Sequence, residues 1–226
     1  MKKTFLLAFI ILVSVNFINA QNDSLSFNYF LKGNVGTKTA LKVYTGSGKV
    51  VGTQYYEIVK TNFNCDTPEI KIKNYTTGLG RTAAIMYRVK SYNDTSYSEL
   101  SEVMNVTRFL KSKVAELNPL WYPMPAKLEI GDTLLGYKLV RHYTSYDIIT
   151  QVSERIVEGF ETISYTGGEL ECVKISYTIV AKTNYGTYIS AYTDWINKDI
   201  GIVKQEAKTK SGRVENTFLL EEVIIK

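Results

Sequence analysis

The sequence predicts a mainly β protein whose strands run antiparallel. Composition points there first: 17 tyrosines, with many threonines, valines and isoleucines, suit a pleated, half-buried surface better than a helix. Alternation points there next. Residues 171–181 place Val173, Ile175, Tyr177, Ile179 and Ala181 on one face and Cys172, Lys174, Ser176, Thr178 and Val180 on the other. Residues 185–195 alternate in the same way, with Ile189, Ala191 and Trp195 opposite Tyr188, Ser190 and Tyr192. Turn-forming residues then recur between such runs, at Gly46-Ser47-Gly48, Thr77-Gly78-Leu79-Gly80, Asn93-Asp94, Thr166-Gly167-Gly168, Thr183-Asn184-Tyr185-Gly186 and Ser211-Gly212. Strands joined this closely pair antiparallel.

In chain order, Lys2 and Lys3 precede an apolar run from residue 5 to 15, and a short polar end closes on Ala20. That is the pattern of a secretory signal peptide, with cleavage expected between Ala20 and Gln21. The run is shorter than the ~20 apolar residues that cross a bilayer, no second such run follows, and no cysteine follows it to accept a lipid. No membrane span is expected. Residues 21–226 read as a single β-rich domain: N-terminal strands over 24–97, a helical, proline-bounded crossover over 98–125, and C-terminal strands over 126–226. One domain is preferred because neither half alone offers a self-contained pattern of covered sheet edges.

Within the crossover, Leu100, Val103, Met104, Leu110, Val114 and Leu117 suit a helical stripe about as well as a strand, and residues 108–117 lack both Gly and Pro. The spacing predicts a helix ending near Asn118-Pro119. NPLWYPMP then holds three of the four prolines. Further on, residues 133–143 read as one strand containing His142. The stretch TDWINKDIGIVKQE invites a functional reading of Asp194, Trp195 and Lys204, but a corner explains it more simply. Trp195 closes one strand, residues 197–201 turn, and Gly201 supplies a positive φ that other residues resist.

The charge excludes one class of function. The formal net charge is +5, two of the 27 basic residues leave with the signal segment, and basic and acidic residues are interleaved, as in Glu69-Ile70-Lys71-Ile72-Lys73. A nucleic-acid binder concentrates its basic residues in a stripe; mixed charge of this kind is a solvated sheet face.

Four segments, GKVVGTQYYEIV, WYPMPAKLEIGDTLLGYKL, ETISYTGGELECVKISY and DWINKDIGIVKQEAKTKSGRVENTFLLEEV, follow one another in an order and spacing that resembles the TapB family of exported bacterial proteins. That family is similar in turn to the lipoprotein-localisation proteins LolA and LolB. The resemblance implies a strongly curved antiparallel sheet or unclosed β-barrel, with one or two short helices plugging its mouth. Residues 167–172, GGELEC, depart from the family pattern, and Ser91 stands where a second family cysteine is expected. The resemblance therefore speaks for the fold and not for a cysteine pairing.

Residues able to carry chemistry are sparse. His142 is the sole histidine, so no histidine cluster can ligate zinc, and no Gly-x-Ser-x-Gly elbow accompanies it. Glu169 with Glu171, and Glu221 with Glu222, read as solvent-facing strand residues rather than a glycosidase pair. Gly46-Ser47-Gly48-Lys49 is too short for a phosphate loop. No catalytic residue, metal ligand or cofactor is assigned. Cys65 and Cys172 enter an oxidising compartment, where one disulfide is an alternative to two thiols. Cys65 lies in a turn-like segment and Cys172 in a strand, so two unpaired thiols are the expectation. Three functions stay open. The first, implied by the resemblance, is a non-enzymatic envelope protein, periplasmic or else secreted, that holds a lipid, another apolar ligand or an acylated partner in the concavity, with Trp121, Tyr122, Tyr137 and Trp195 as candidate lining. The second is a structural protein that binds an envelope component through a sheet face or edge. The third is a hydrolase.

Overall fold

A computed structural model describes residues 27–63, 66–78, 84–99, 113–118, 120–142 and 145–226. They form fifteen strands: β1 (Lys38–Thr45), β2 (Val50–Asn62), β3 (Glu69–Thr77), β4 (Ala84–Tyr92), β5 (Thr95–Glu99), β6 (Lys113–Asn118), β7 (Trp121–Pro125), β8 (Thr133–Leu134), β9 (Tyr137–His142), β10 (Asp147–Val152), β11 (Arg155–Tyr165), β12 (Gly168–Thr183), β13 (Gly186–Asn197), β14 (Gly201–Thr209) and β15 (Val214–Ile224). All belong to one antiparallel sheet, in the order β6-β9-β10-β12-β13-β14-β15-β1-β2-β3-β4-β5-β7. β11 branches from β12 and carries β8 on its other side.

This order dictates the shape. β6 and β7 follow one another in the chain yet lie at opposite ends of the hydrogen-bonded path. From Asn118 to Trp121 there are three peptide links, which span at most roughly 11 Å, so the chain draws the two ends of the sheet together. The result is a curved sheet that nearly meets itself, an unclosed barrel. Two of the five residues of β7, Pro123 and Pro125, have no N–H to give. They share a parity, and Ser98↔Tyr122 and Ser96↔Met124 pair between them. Tyr122 and Met124 therefore donate β7's bonds to β5, and the proline positions face the open edge.

Local sequence explains the hairpins. β13 pairs with β12 along its whole length, from Cys172↔Asn197 to Thr183↔Gly186, so only Asn184 and Tyr185 form the turn. Between β4 and β5, Asn93 and Asp94 take φ values of 46° and 54°, the left-handed conformation of a two-residue hairpin turn that these side chains tolerate. Gly201 has φ +82° and opens β14.

Two expectations are corrected. No helix occurs among the described residues: Ser98 and Glu99 end β5, and residues 113–118 are β6, while residues 100–112 lie outside the described residues. The apolar spacing of 110, 114 and 117 fits a strand as well as a helix. Pairing with β9, with a bulge between Val114 and Glu116, satisfies the backbone and overrides local propensity. The single strand expected over 133–143 is two, β8 and β9. Gly136 separates them where the carbonyl of Val152 would lie 2.4 Å from any Cβ. The signal segment and Cys65 also lie outside the described residues.

Buried apolar residues gather in three clusters. One holds Tyr29, Met124, Leu128, Leu134, Val157, Val173, Ile175 and Ile196. The second holds Leu41, Cys172, Trp195, Val203 and Leu220, and the third Phe27, Ile70, Ile72 and Val89. An irregular segment, residues 27–31, enters the concavity where the resemblance placed helices. It is pinned by Tyr29 N–H to the Lys198 carbonyl at 2.8 Å and Lys32 N–H to the Asp199 carbonyl at 2.9 Å. Its backbone rests on Gly201, whose Cα would present a Cβ 3.5 Å from the Tyr29 carbonyl oxygen.

Candidate functional site

Beneath this plug lies a cavity of about 260 Å³. Strand alternation decides what it shows. On β13, Tyr192, Asp194 and Ile196 share one parity, and they lie opposite Tyr177, Ile175 and Val173 of β12. Cross-strand partners share a face, so Tyr177, Asp194 and Ile196 all reach the cavity. The plug contributes Tyr29, Phe30 and Leu31; β7 contributes Tyr122 and Met124; β9 contributes Tyr137; and Arg155 stands at the start of β11. Most of the wall is aromatic or aliphatic, with Val152, Ile179 and Ile202 completing it.

Two ionisable groups of opposite sign are sunk into this wall. Asp194 is buried. It accepts hydrogen bonds from the Tyr177 hydroxyl at 3.0 Å and from Gln205 Nε2 at 2.8 Å. Burial dominates these donors and the pull of Arg155, and pushes its carboxyl up to about 6. Arg155 is 8 % exposed. Its Nη2 reaches the Pro123 carbonyl at a long 3.4 Å, its Nε has no hydrogen-bond partner, and its guanidinium lies 3.8 Å from the centroid of the Tyr122 ring. Loss of water pulls its pKa below the usual range, against the attraction of Tyr122, Tyr177 and Asp194. The Tyr122 hydroxyl is likewise buried with no partner. Burial holds the phenols of Tyr56, Tyr87, Tyr122 and Tyr177 well above their usual range, and raises Tyr137 to about 12. Each is a hydrogen-bond donor at any physiological pH.

The aromatic walls are held in fixed geometry. Tyr177 stacks on Tyr192 with ring centroids 5.5 Å apart, and Tyr122 meets Tyr137 edge to face at 5.6 Å, arrangements that suit ring quadrupoles. The Tyr122–Tyr137 contact joins β7 to β9 across the open edge.

The four residues named from sequence as candidate lining part company. Tyr122 and Tyr137 line the cavity. Trp121, of opposite parity to Tyr122, lines an outer hollow with Lys90, Tyr92, Tyr97 and Leu135, where the Lys90 ammonium sits 4.0 Å above its ring. Trp195 points to the face opposite Asp194 and is 5 % exposed. Its indole N–H donates to Glu161 at 2.7 Å, and the Lys204 ammonium lies 4.1 Å over the ring. Cys172 is a buried free thiol in the same cluster, its pKa pushed up to about 12 by burial. His142 is exposed and pairs with Asp147 directly across from it on β10. Glu169, Glu171, Glu221 and Glu222 are exposed. Among the described residues, no three His, Cys, Asp or Glu side chains stand together as metal ligands do.

Sequence reasoning missed Arg155 and the plug, and took Asp194 only as part of a corner. A signal existed for Asp194: it falls in step with Tyr192 and Ile196, on the parity of the cavity wall.

The fold has solved relatives. A protein of Bacteroides fragilis, provisionally described as exported and with a YmcC-like fold, superposes with a TM-score of 0.71 at 15% identity over 87% of this chain and 99% of its own. A provisionally described lipoprotein of Parabacteroides distasonis superposes with a TM-score of 0.71 at 16% identity over 90% of this chain and all of its own. Identity this low establishes a shared fold. No curated protein matches the chain. The DUF3108-like family, however, matches residues 34–220, from just before β1 into β15, and so takes in Tyr122, Tyr137, Arg155 and Asp194. The chain belongs to the DUF3108-like family.

Proposed function

We propose that this is a non-enzymatic protein of the cell envelope that holds an apolar ligand, or the acylated end of another protein, inside the half-barrel. The observation that carries this reading is the cavity itself: about 260 Å³ of space inside the curved sheet. An interior normally packs to the density of an organic crystal, so a space this large, walled by Phe30, Met124, Ile179 and Ile202, is suited to an occupant. It stands near the lower end of small-molecule pockets, ~300 Å³.

The motifs that resemble the TapB family, and through it LolA and LolB, support a carrier with its cargo in the concavity. The signal-like residues 1–20 support export, as do the descriptions of the two solved relatives as an exported protein and a lipoprotein, and the periplasm is the compartment we infer. Nothing in the proposed role calls for a cofactor.

The test is binding of the neutral apolar dye Nile red. Wild-type protein should bind it with a blue-shifted emission. Ile179→Trp, which fills the cavity from a half-buried position, should lose the dye and keep its melting temperature. A wild-type protein that leaves Nile red in water would refute the carrier reading. Native mass spectrometry of protein isolated from its envelope then separates a small ligand from a bound protein.

A further inference from the structure

The cavity carries more information than its apolar walls, because two donors inside it have nothing to bond. The Nε of Arg155 and the hydroxyl of Tyr122 are both buried without a partner, and both residues line the cavity. A buried guanidinium is tolerated when its charge is paired and its N–H groups are satisfied. Here it has one long bond to a carbonyl and one aromatic face. Asp194 takes its hydrogen bonds from Tyr177 and Gln205, and its attraction for Arg155 does not offset the guanidinium's loss of water.

We propose that the cavity takes an amphiphile with a single carboxylate head, seated on Arg155 and Tyr122, and one apolar chain lying against Leu31, Met124, Val152 and Ile179. This rests on the carrier reading above and names its ligand class. Three points favour a carboxylate. The guanidinium fork matches two oxygens in a plane. The Tyr122 phenol, kept protonated by burial, adds a third donor from the neighbouring wall. The volume admits one chain of moderate length rather than a two-chain lipid. The acyl chain of a lipidated protein ends in an ester or amide, which brings no charge to Arg155, so the proposal favours a free acid over an acylated partner. The other ionisable groups facing the site are phenols, those of Tyr29, Tyr56, Tyr87, Tyr137 and Tyr177, together with Asp194.

The test displaces Nile red with octanoate, octanol and octylamine, which share a chain and differ in head group. Octanoate should compete at a concentration at least about tenfold lower than octanol, the effect of a charge-assisted hydrogen bond, with octylamine the weakest. In Tyr122→Phe, which keeps the ring under the guanidinium, the preference for octanoate should narrow several-fold while octanol competes as before. Arg155→Met should abolish it; if that variant does not fold, Tyr122→Phe carries the test. Equal competition by octanoate and octanol, or an unchanged ratio in Tyr122→Phe, overturns the head-group assignment and leaves the apolar cavity standing. Octylamine as the best competitor would overturn it too, and move the anchor to Asp194. A wild-type protein that binds no dye and no competitor overturns both this proposal and the carrier reading.

Discussion

Asp194→Asn should flatten the protein's stability between about pH 4 and about 6. In the folded chain the Asp194 carboxyl is pushed up to about 6 by burial; unfolded, it titrates near the ordinary ~3.9. The native state therefore holds its proton more tightly than the unfolded state does. Below about pH 4 both states are protonated and no charge is buried. As the pH rises toward 6 the unfolded chain ionises while the native one does not, and stability falls. Above about 6 the loss is complete. Two pKa units at ~1.4 kcal/mol each give about 3 kcal/mol. Other carboxylates push the opposite way. Glu161 is held below the usual range, first by its hydrogen bond from Lys174 and then by that from Trp195. Glu206 is also low, with burial working against the pull of Lys204 and Lys208. Both are common to the two proteins and drop out of the difference. Urea melts of wild type and Asp194→Asn at half-unit pH steps give the measurement. The wild-type curve minus the variant curve should fall by about 3 kcal/mol from pH 4 to pH 6 and stay level above it. A level difference throughout would show that Asp194 is not the buried, desolvated carboxylate described above.

Trp195→Ala should cost about 3 to 5 kcal/mol by urea denaturation, the loss expected for a buried ring, and should leave Nile red binding in place; loss of the dye at unchanged stability would reverse the assignment of Trp195 to packing. Thiol titration without reductant should find Cys172 silent in the native protein and two reactive thiols after denaturation, whereas none after denaturation would mean a Cys65–Cys172 bridge. Gly201→Ala should cost about 1 kcal/mol, because alanine resists a positive φ although its Cβ would have room beside the plug; a neutral effect in thermal melts would contradict the left-handed turn.

The long hairpin was legible because residue type and strand period agreed over its first strand. In residues 173–181 every second side chain is apolar or aromatic, and a two-residue turn leads into the partner strand. Agreement failed at 155–157. There Arg155 and Val157 are buried while Ile156 is 45 % exposed, so alternation by residue type would have turned Ile156 inward and Arg155 to water. No single strand can disclose that inversion. It is set by the aromatic face of Tyr122 and the carbonyl of Pro123, which arrive from β7, some thirty residues earlier in the chain. The plug was illegible for another reason. Residues 27–31 have neither period, and Tyr29 takes a φ of 65° in a conformation fixed by the β13–β14 turn it docks against. In residues 113–118 the sequence was ambiguous, and pairing with β9 made the choice.

These features meet at the unclosed edge. A ladder between β6 and β7 would complete the barrel, but Pro123 and Pro125 leave β7 with few outward N–H groups, and a strand short of donors pairs poorly there. The edges are instead bridged by side chains: Tyr122 of β7 meets Tyr137 of β9, and Arg155 of β11 reaches the Pro123 carbonyl. Side-chain bridges can part without breaking a backbone ladder, so on the carrier reading proposed above this edge is where a ligand would enter the cavity. It is also where Arg155 and Tyr122 wait with unused donors. On the same reading, the prolines that leave this edge unpaired set the polar anchor beside the way in, with the apolar depth behind it under the plug.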